Sequence, residues 1–376
     1  VLRKSFIVSL LLTLFLIFSS CNIITGELDS TSFGEENPSL VLMLHAVPAQ
    51  VTTTILYNDI PALSEYHNVA IPPRTAPEED KIEWWTSFQN VILWGYPFPV
   101  FSEVWGFDSV DISGMLTYWG EGPVTILSGN LDTEAFRTKL ISYGYEESTY
   151  LGLSIFSGIP ESKAVLNVDI LPRAFGIING AGPENEPYNL IIMSEAGDND
   201  VEFGRRLVED AFYAYRQKVS LADETNSLAR LAEAAGRAGA VYATVDNRFM
   251  YVMAQVTEEQ FEEMKTAAGP GILDPYRAVA MTYRRESGRV VFDFILDYKT
   301  SAEAVSGVPV LRERLKQGRS YLYEKQLSKI WTIEDVSTHG SLLRAKVRPI
   351  DATLSYDFLF IGMVYAVDSW FLYPSP

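Results

Sequence analysis

The sequence predicts an α+β fold in which antiparallel sheets carry helices on one face, and three observations lead there. Short apolar strands alternate with amphipathic helices from Pro123 onward. One strand pair, YRAVAMTYR and RVVFDFILDY, is joined by RRESG, a turn-rich link too short for a crossover. One strand–helix–strand pattern also recurs, which makes two ferredoxin-like halves the preferred arrangement. With 376 residues, 47% of them hydrophobic, about two domains are expected. The boundaries drawn are a leader over 1–20, a tether over 21–39, a first α+β domain over 40–239 and a second over 240–376.

Arg3 and Lys4 precede a 13-residue apolar run, Phe6 to Phe18, relieved only by Ser9 and Thr13, and Ser19-Ser20 lead to Cys21. That is the layout of a secretory signal. A bilayer-spanning helix needs roughly 20 apolar residues, so spanning is the weaker reading. Phe18-Ser19-Ser20-Cys21 resembles the bacterial lipoprotein processing box, although Phe18 stands where leucine is usual. The resemblance implies that residues 1–20 are a lipoprotein signal peptide, with lipidation at Cys21, a membrane contact through the N-terminal lipid and an extracytoplasmic location. An ordinary signal peptide beside a free thiol is the alternative. Cys21 is the only cysteine, so a disulfide-stapled scaffold is excluded.

The tether, NIITGELDSTSFGEENPS, is polar and aperiodic. Residues 40–47 read as the first strand. The proline-rich IPPRTAP then leads into a helix opened by Pro77 and running to about Leu93, with Glu78, Glu79 and Asp80 at its positive end. PVTILSG is a strand. LDTEAFRTKLISYG is a helix capped by Asp132 and stopped by Gly144. YLGLSIFSG, AVLNVDIL, AFGIING and YNLIIMS are further strands, and helices come next over 201–218 and 227–238.

A second round starts near Ala240. MYVMAQ reads as a strand, VTEEQFEEMKTA as a helix with a Thr257/Gln260 capping box, and YRAVAMTYR as a strand. LDTEAFRTKL matches VTEEQFEEMK at an offset of 125 residues, and YLGLSIFSG matches YRAVAMTYR at 126. Chance alignment of two amphipathic patterns is the alternative to a weak internal duplication. In RVVFDFILDY, Val290, Phe292, Phe294, Leu296 and Tyr298 share one face while Asp293 and Asp297 take the other. A helix over 301–317, bent at Pro309, comes after it. The apolar C-terminal stretch reads as a buried helix or strand, too short to span a bilayer.

Gly129, Leu131-Asp132, Leu140, Gly144-Tyr145, Tyr150 and Gly152 spell GxLDxxxxxxxLxxxGYxxxxYxG. This resembles a segment that recurs in exported bacterial lipoproteins and membrane-anchored proteins of unknown function, and SLADE at 220–224 is similar to the stretch downstream of that segment in such proteins. The resemblance covers 107–240 and implies a tethered, extracytoplasmic α+β protein of the cell envelope. It carries no activity to transfer.

Net charge is −18, and −20 once the two cations of residues 1–20 are removed. Such a surface repels phosphate, which demotes nucleic acid and docking on anionic headgroups. His45, His67 and His339 are the only histidines and are too far apart for a zinc HExxH. No GxSxG, SxxK, GxGxxG or GxxxxGK[ST] occurs, and no cofactor is expected. Asp198, Asp200 and Glu202 are weak metal candidates. Phe203 stands where a calcium loop needs glycine, so a helix cap by Asn199 and Glu202 is the plainer account. Trp94, Trp105 and Trp119 belong to an aromatic-rich stretch that could line a glycan or peptide groove or fill the core. The expectation is a lipid-anchored, non-catalytic lipoprotein that binds an unknown protein or glycan. The alternative is an anchored hydrolase that works with paired carboxylates on a glycan or peptide.

Overall fold

The structure is a computed structural model that describes residues 37–88, 104–159, 172–181, 188–194, 200–223, 226–245, 257, 259, 268–320, 323–350, 360, 362–364 and 370–374. In chain order its strands are β1 Thr54–Asp59, β2 Ile112–Trp119, β3 Pro123–Gly129, β4 Glu146–Tyr150, β5 Leu153–Ser157, β6 Ala174–Ile178, β7 Asn189–Ser194, β8 Ala240–Thr244, β9 Ala278–Glu286, β10 Arg289–Asp297, β11 Trp331–His339 and β12 Leu342–Pro349. The helices are α1 Pro38–Leu44, α2 Ile60–Tyr66, α3 Glu78–Thr86, α4 Thr133–Ser142, α5 Val201–Gln217, α6 Ser227–Ala235 and α7 Ser301–Gln317.

All twelve strands join one sheet in the order β11-β12-β10-β9-β8-β1-β2-β3-β7-β6-β5-β4, and every neighbouring pair is antiparallel. The fold is α+β. The sheet continues through residue 240, because β8 pairs β1 on one side and β9 on the other.

Helices cover both faces rather than one. Along β1, Leu56 enters one core while Ile55 and Tyr57 enter another. Strand residues point alternately to opposite faces, so a central strand buried along its whole length needs cover on two sides. Face one is packed by α2, α3, α4 and α7 through Leu63, Trp84, Phe136 and Leu311. Face two is packed by α1, α5 and α6 through Met43, Phe212 and Leu231. On β6, a Cβ at Gly176 would lie 2.6 Å from Phe212 of α5, so this helix rests directly on the sheet backbone.

The run at 40–47 is not extended: it is helical through Leu44 and then turns. Asn37 accepts from Leu40 N at 3.0 Å, Pro38 opens the first turn, and Leu40, Met43 and Leu44 fall at helical spacing onto face two. The expected 77–93 helix is seen as α3, its extension past Phe88 lying outside the described residues, as do AVLNVDIL, MYVMAQ and most of VTEEQFEEMKTA.

The topology contains a repeat, though not the one aligned in sequence. The segment β1–β2–β3–α4–β4–β5 reappears as β8–β9–β10–α7–β11–β12, and the two run outward in opposite directions from the β1/β8 pair. Hairpin β6–β7 is slotted into the first copy between β3 and β5. Both α4 and α7 pack on face one, as a two-fold axis through the sheet requires. The counterpart of α4 is therefore α7 and not VTEEQFEEMKTA. Neither copy is ferredoxin-like. In each, the first two strands are adjacent and antiparallel, and only the later β–helix–β step joins parallel strands.

Candidate functional site

Two of the three tryptophans are described, and they do not form an open groove. Trp105 is 5% exposed, with its ring 5.4 Å from that of Phe175 and 6.0 Å from that of Phe136. Trp119 ends β2, half-buried against the same core. Trp94 lies outside the described residues, as do Asp198 and Cys21.

Asp200 caps α5 by accepting from Phe203 N at 2.9 Å, one residue later than the expected Asn199 cap. With Glu202, Phe203, Arg205, Arg206 and Glu209 it lines an open depression of about 650 Å³. Arg205 pairs with Glu209 at 2.9 Å and Arg206 with Glu121 at 2.6 Å, and Arg206 also lies 5.1 Å from the Phe203 ring centre. Burial, then the charge of Glu121, pushes the carboxyl of neighbouring Asp210 up. Among the described residues no three His, Cys, Asp or Glu side chains converge as metal ligands.

A polar node fixes the start of the described chain. Buried Asn37 donates to Asp59 Oδ2 at 3.0 Å and accepts from Tyr57 OH at 3.0 Å, and Asp59 Oδ1 caps α2 through Ala62 N at 2.9 Å. One carboxylate thus holds two helix starts. Burial raises the Asp59 carboxyl despite these hydrogen bonds and the charge of Arg237.

The richest assembly of charge was missed in sequence. On face two of β9, β10, β12 and β11, ion pairs link seven side chains of alternating sign. Arg344 meets Asp293 at 2.7 Å, Asp293 meets Arg284 at 2.6 Å, and Arg284 meets Glu286 at 2.8 Å. Glu286 pairs with Lys346, Lys346 reaches Glu334 at 3.5 Å, and Glu334 pairs with Arg348. Asp293 is buried, whereas the Glu286 and Glu334 ends are about one-third exposed. At the other end of β10, Asp297 Oδ1 accepts from Arg230 of α6 and Arg277, both at 2.9 Å, and from Ser341 at 3.3 Å.

Burial would raise Glu286, but the hydrogen bond from Lys346 and the charges of Arg284, Lys346 and Arg344 outweigh it and hold its carboxyl below the ordinary value. Glu334 is held low chiefly by its hydrogen bond from Arg348. Asp293 and Asp297 share a face four residues apart, about 13 Å along the strand. That exceeds the roughly 5–9.5 Å of a glycosidase carboxylate pair, and arginine engages both. As arranged, they tie strands together. The signal was legible in LLRAKVRP, whose cations recur at every second residue, with Lys346 directly opposite Asp293 of β10.

Charge is unevenly shared. Residues before Ala240 hold 31 Asp plus Glu and 14 Lys plus Arg, a net of −17, against 17 and 16, a net of −1, from there on.

No protein-family model matches the chain, and no curated protein matches it in sequence. Among solved structures, crystal form I of TP0453, a Treponema lipoprotein, is similar with a TM-score of 0.38 at 8% identity, over 88% of this chain and 98% of that one. Crystal form IV gives 0.38 at 9% identity over 85% and 96%, and crystal form III gives 0.34 at 10% over 85% and 97%.

Proposed function

We propose that the chain is a lipid-anchored extracytoplasmic lipoprotein that binds a ligand or partner and performs no catalysis. One observation carries the reading: the single cysteine comes directly after a charged, apolar and small-residue leader. Its thiol is the nucleophile such a modification alkylates, and two or more acyl chains are needed for stable attachment. The non-catalytic half of the proposal draws on the buried aspartates of β10, which arginines hold in fixed ion pairs.

The test is expression in a bacterial host with an alkyne-bearing fatty acid, then membrane fractionation and intact-mass measurement. Wild-type protein should incorporate the label, pellet with membranes and begin at a diacylglyceryl-modified Cys21. Cys21→Ser should be unlabelled and released. Equal retention of both proteins on washed membranes would overturn the anchor.

A further inference from the structure

The seven-member ion chain runs across the end of face two beyond α6, from buried Asp293 to Glu286 and Glu334, its most exposed members. Face two of β9 and β10 is packed by α6 near Ala278, Ile295 and Asp297, whereas the described helix packed on β11 and β12 is α7, on face one. β11 is also an edge strand, joined to the sheet through β12 alone. Its ladder is interrupted at a bulge between Ile333 and Asp335, and the bulged residue is Glu334. Here the side chain does what the backbone does not, because Glu334 bridges Lys346 and Arg348 of the neighbouring strand. Glu286 plays the matching part at the same end of the sheet. It ends β9 and reaches past β10 to Lys346 of β12. Two partly exposed carboxylates therefore fasten the outer hairpin to the rest.

We propose that this ion chain is an acid-operated clasp on the β11–β12 hairpin: proton uptake by Glu286 and Glu334 opens it, while the β1–β7 half of the sheet stays closed. The facing charges give the reason. β9 contributes Arg284 and Glu286, β10 Arg289 and Asp293, β12 Arg344, Lys346 and Arg348, and β11 Glu334 and Asp335. With both glutamates ionised, five cations face four anions. With both neutral, five cations face Asp293 and Asp335 only, and like charges on neighbouring strands repel. The cations already hold both glutamates below the ordinary carboxyl value, so the clasp stays shut through mild acidity and yields below it. In the β1–β7 half the corresponding strands β3, β5 and β7 set Ile126, Ile155 and Ile192 beneath α1 and α5, and among the described residues no ion pair cross-links them on this face.

Segment-resolved hydrogen exchange on the full chain, corrected for intrinsic rates, tests this at roughly pH 7 and pH 4. Opening of β11 and β12 should rise about tenfold, the equivalent of one pKa unit, while β2 and β3 change by less than about twofold. The E286Q/E334Q variant should be open at both pH values and lose the pH response. E334Q alone changes one exposed side chain and should lose about half of it on a logarithmic scale. Equal opening of both segments in acid, or a full pH response surviving in E286Q/E334Q or E334Q, would overturn the proposal.

Discussion

The same sheet face is held in two different ways in the two copies of the repeat. In the β1–β7 half, β3 and β5 present Val124, Ile126, Leu153 and Ile155 to α1 and α5, which close over them with Met43, Val208 and Phe212. Their counterparts β10 and β12 present Asp293, Asp297, Arg344 and Lys346. Among the described residues those strands carry a helix on this face only at the α6 end. Where a helix arrives, burying apolar area is the dominant gain. Beyond that helix, charged side chains that cross-link the strands satisfy one another on a face where Asp293, Arg284 and Arg344 are 3–12% exposed. The comparison shows that topology fixes strand order and leaves open what covers each face.

The largest effect should come from the covered side. Phe212→Ala empties a site the sheet backbone already touches, and should cost about 3–5 kcal/mol in urea unfolding, with little dependence on salt. In the other half, Asp297→Ala should cost about 3 kcal/mol, because it removes the fully buried carboxylate on which Arg230 and Arg277 converge. A loss below about 1 kcal/mol there would break the contrast, since it would mean that solvent replaces the pair freely. Asn37→Ala should cost about 1 kcal/mol, the scale of a lost helix cap, and should reduce hydrogen-exchange protection in α1 before β10.

The pH response sharpens the comparison because Glu286 and Glu334 in one half and Asp59 and Asp210 in the other are shifted in opposite directions. Glu286 and Glu334 have lowered carboxyl values, so the stability they contribute is present above the unfolded value of 4.5 and is lost as pH falls through their folded values. Asp59 and Asp210 are raised by burial. Their contribution is complete below the unfolded value of 3.8 and is lost as pH rises through their folded values. Asp59→Asn keeps the Oδ1 acceptor that caps α2 and removes the buried charge, but puts an amide NH2 where Oδ2 accepts from Asn37. It should therefore remove this residue's share of the pH dependence, so that the urea midpoint falls less between acid and neutral pH than in the wild type.

Much of this was legible locally. The strict alternation of RVVFDFILDY gave both the strand and its two faces, and RRESG gave the hairpin, whose turn holds Ser287 and Gly288 at positive φ. Asp132 and Gly144 marked α4 correctly as cap and stop. Periodicity does not say what will lie over a face, however. Asp293 sits on the polar side of its strand, yet it is 2% exposed because arginines from two neighbouring strands close over it. Short apolar runs are ambiguous for a related reason. Leu40 to Val47 suits a strand by composition, and Asn37-Pro38 with tertiary packing makes it a helix. The repeat was misaligned because VTEEQFEEMK and the α4 sequence share a helical period. Their common place in the topology is settled by pairings more than a hundred residues apart, such as that of β1 with β8. Of the site residues nominated from sequence, Asp200 and Glu202 come together beside α5, and the described tryptophans serve the core.

The central claim is that apolar cover holds one half of this face and charge holds the other. Segment-resolved hydrogen exchange at neutral pH, in low salt and in about 1 M sodium chloride, where screening acts within ~3 Å, tests it most directly. The account predicts faster opening of β11 and β12 in high salt, with β3 and β5 as protected as before. Unchanged protection in β11 and β12, or an equal loss in β3 and β5, would contradict it.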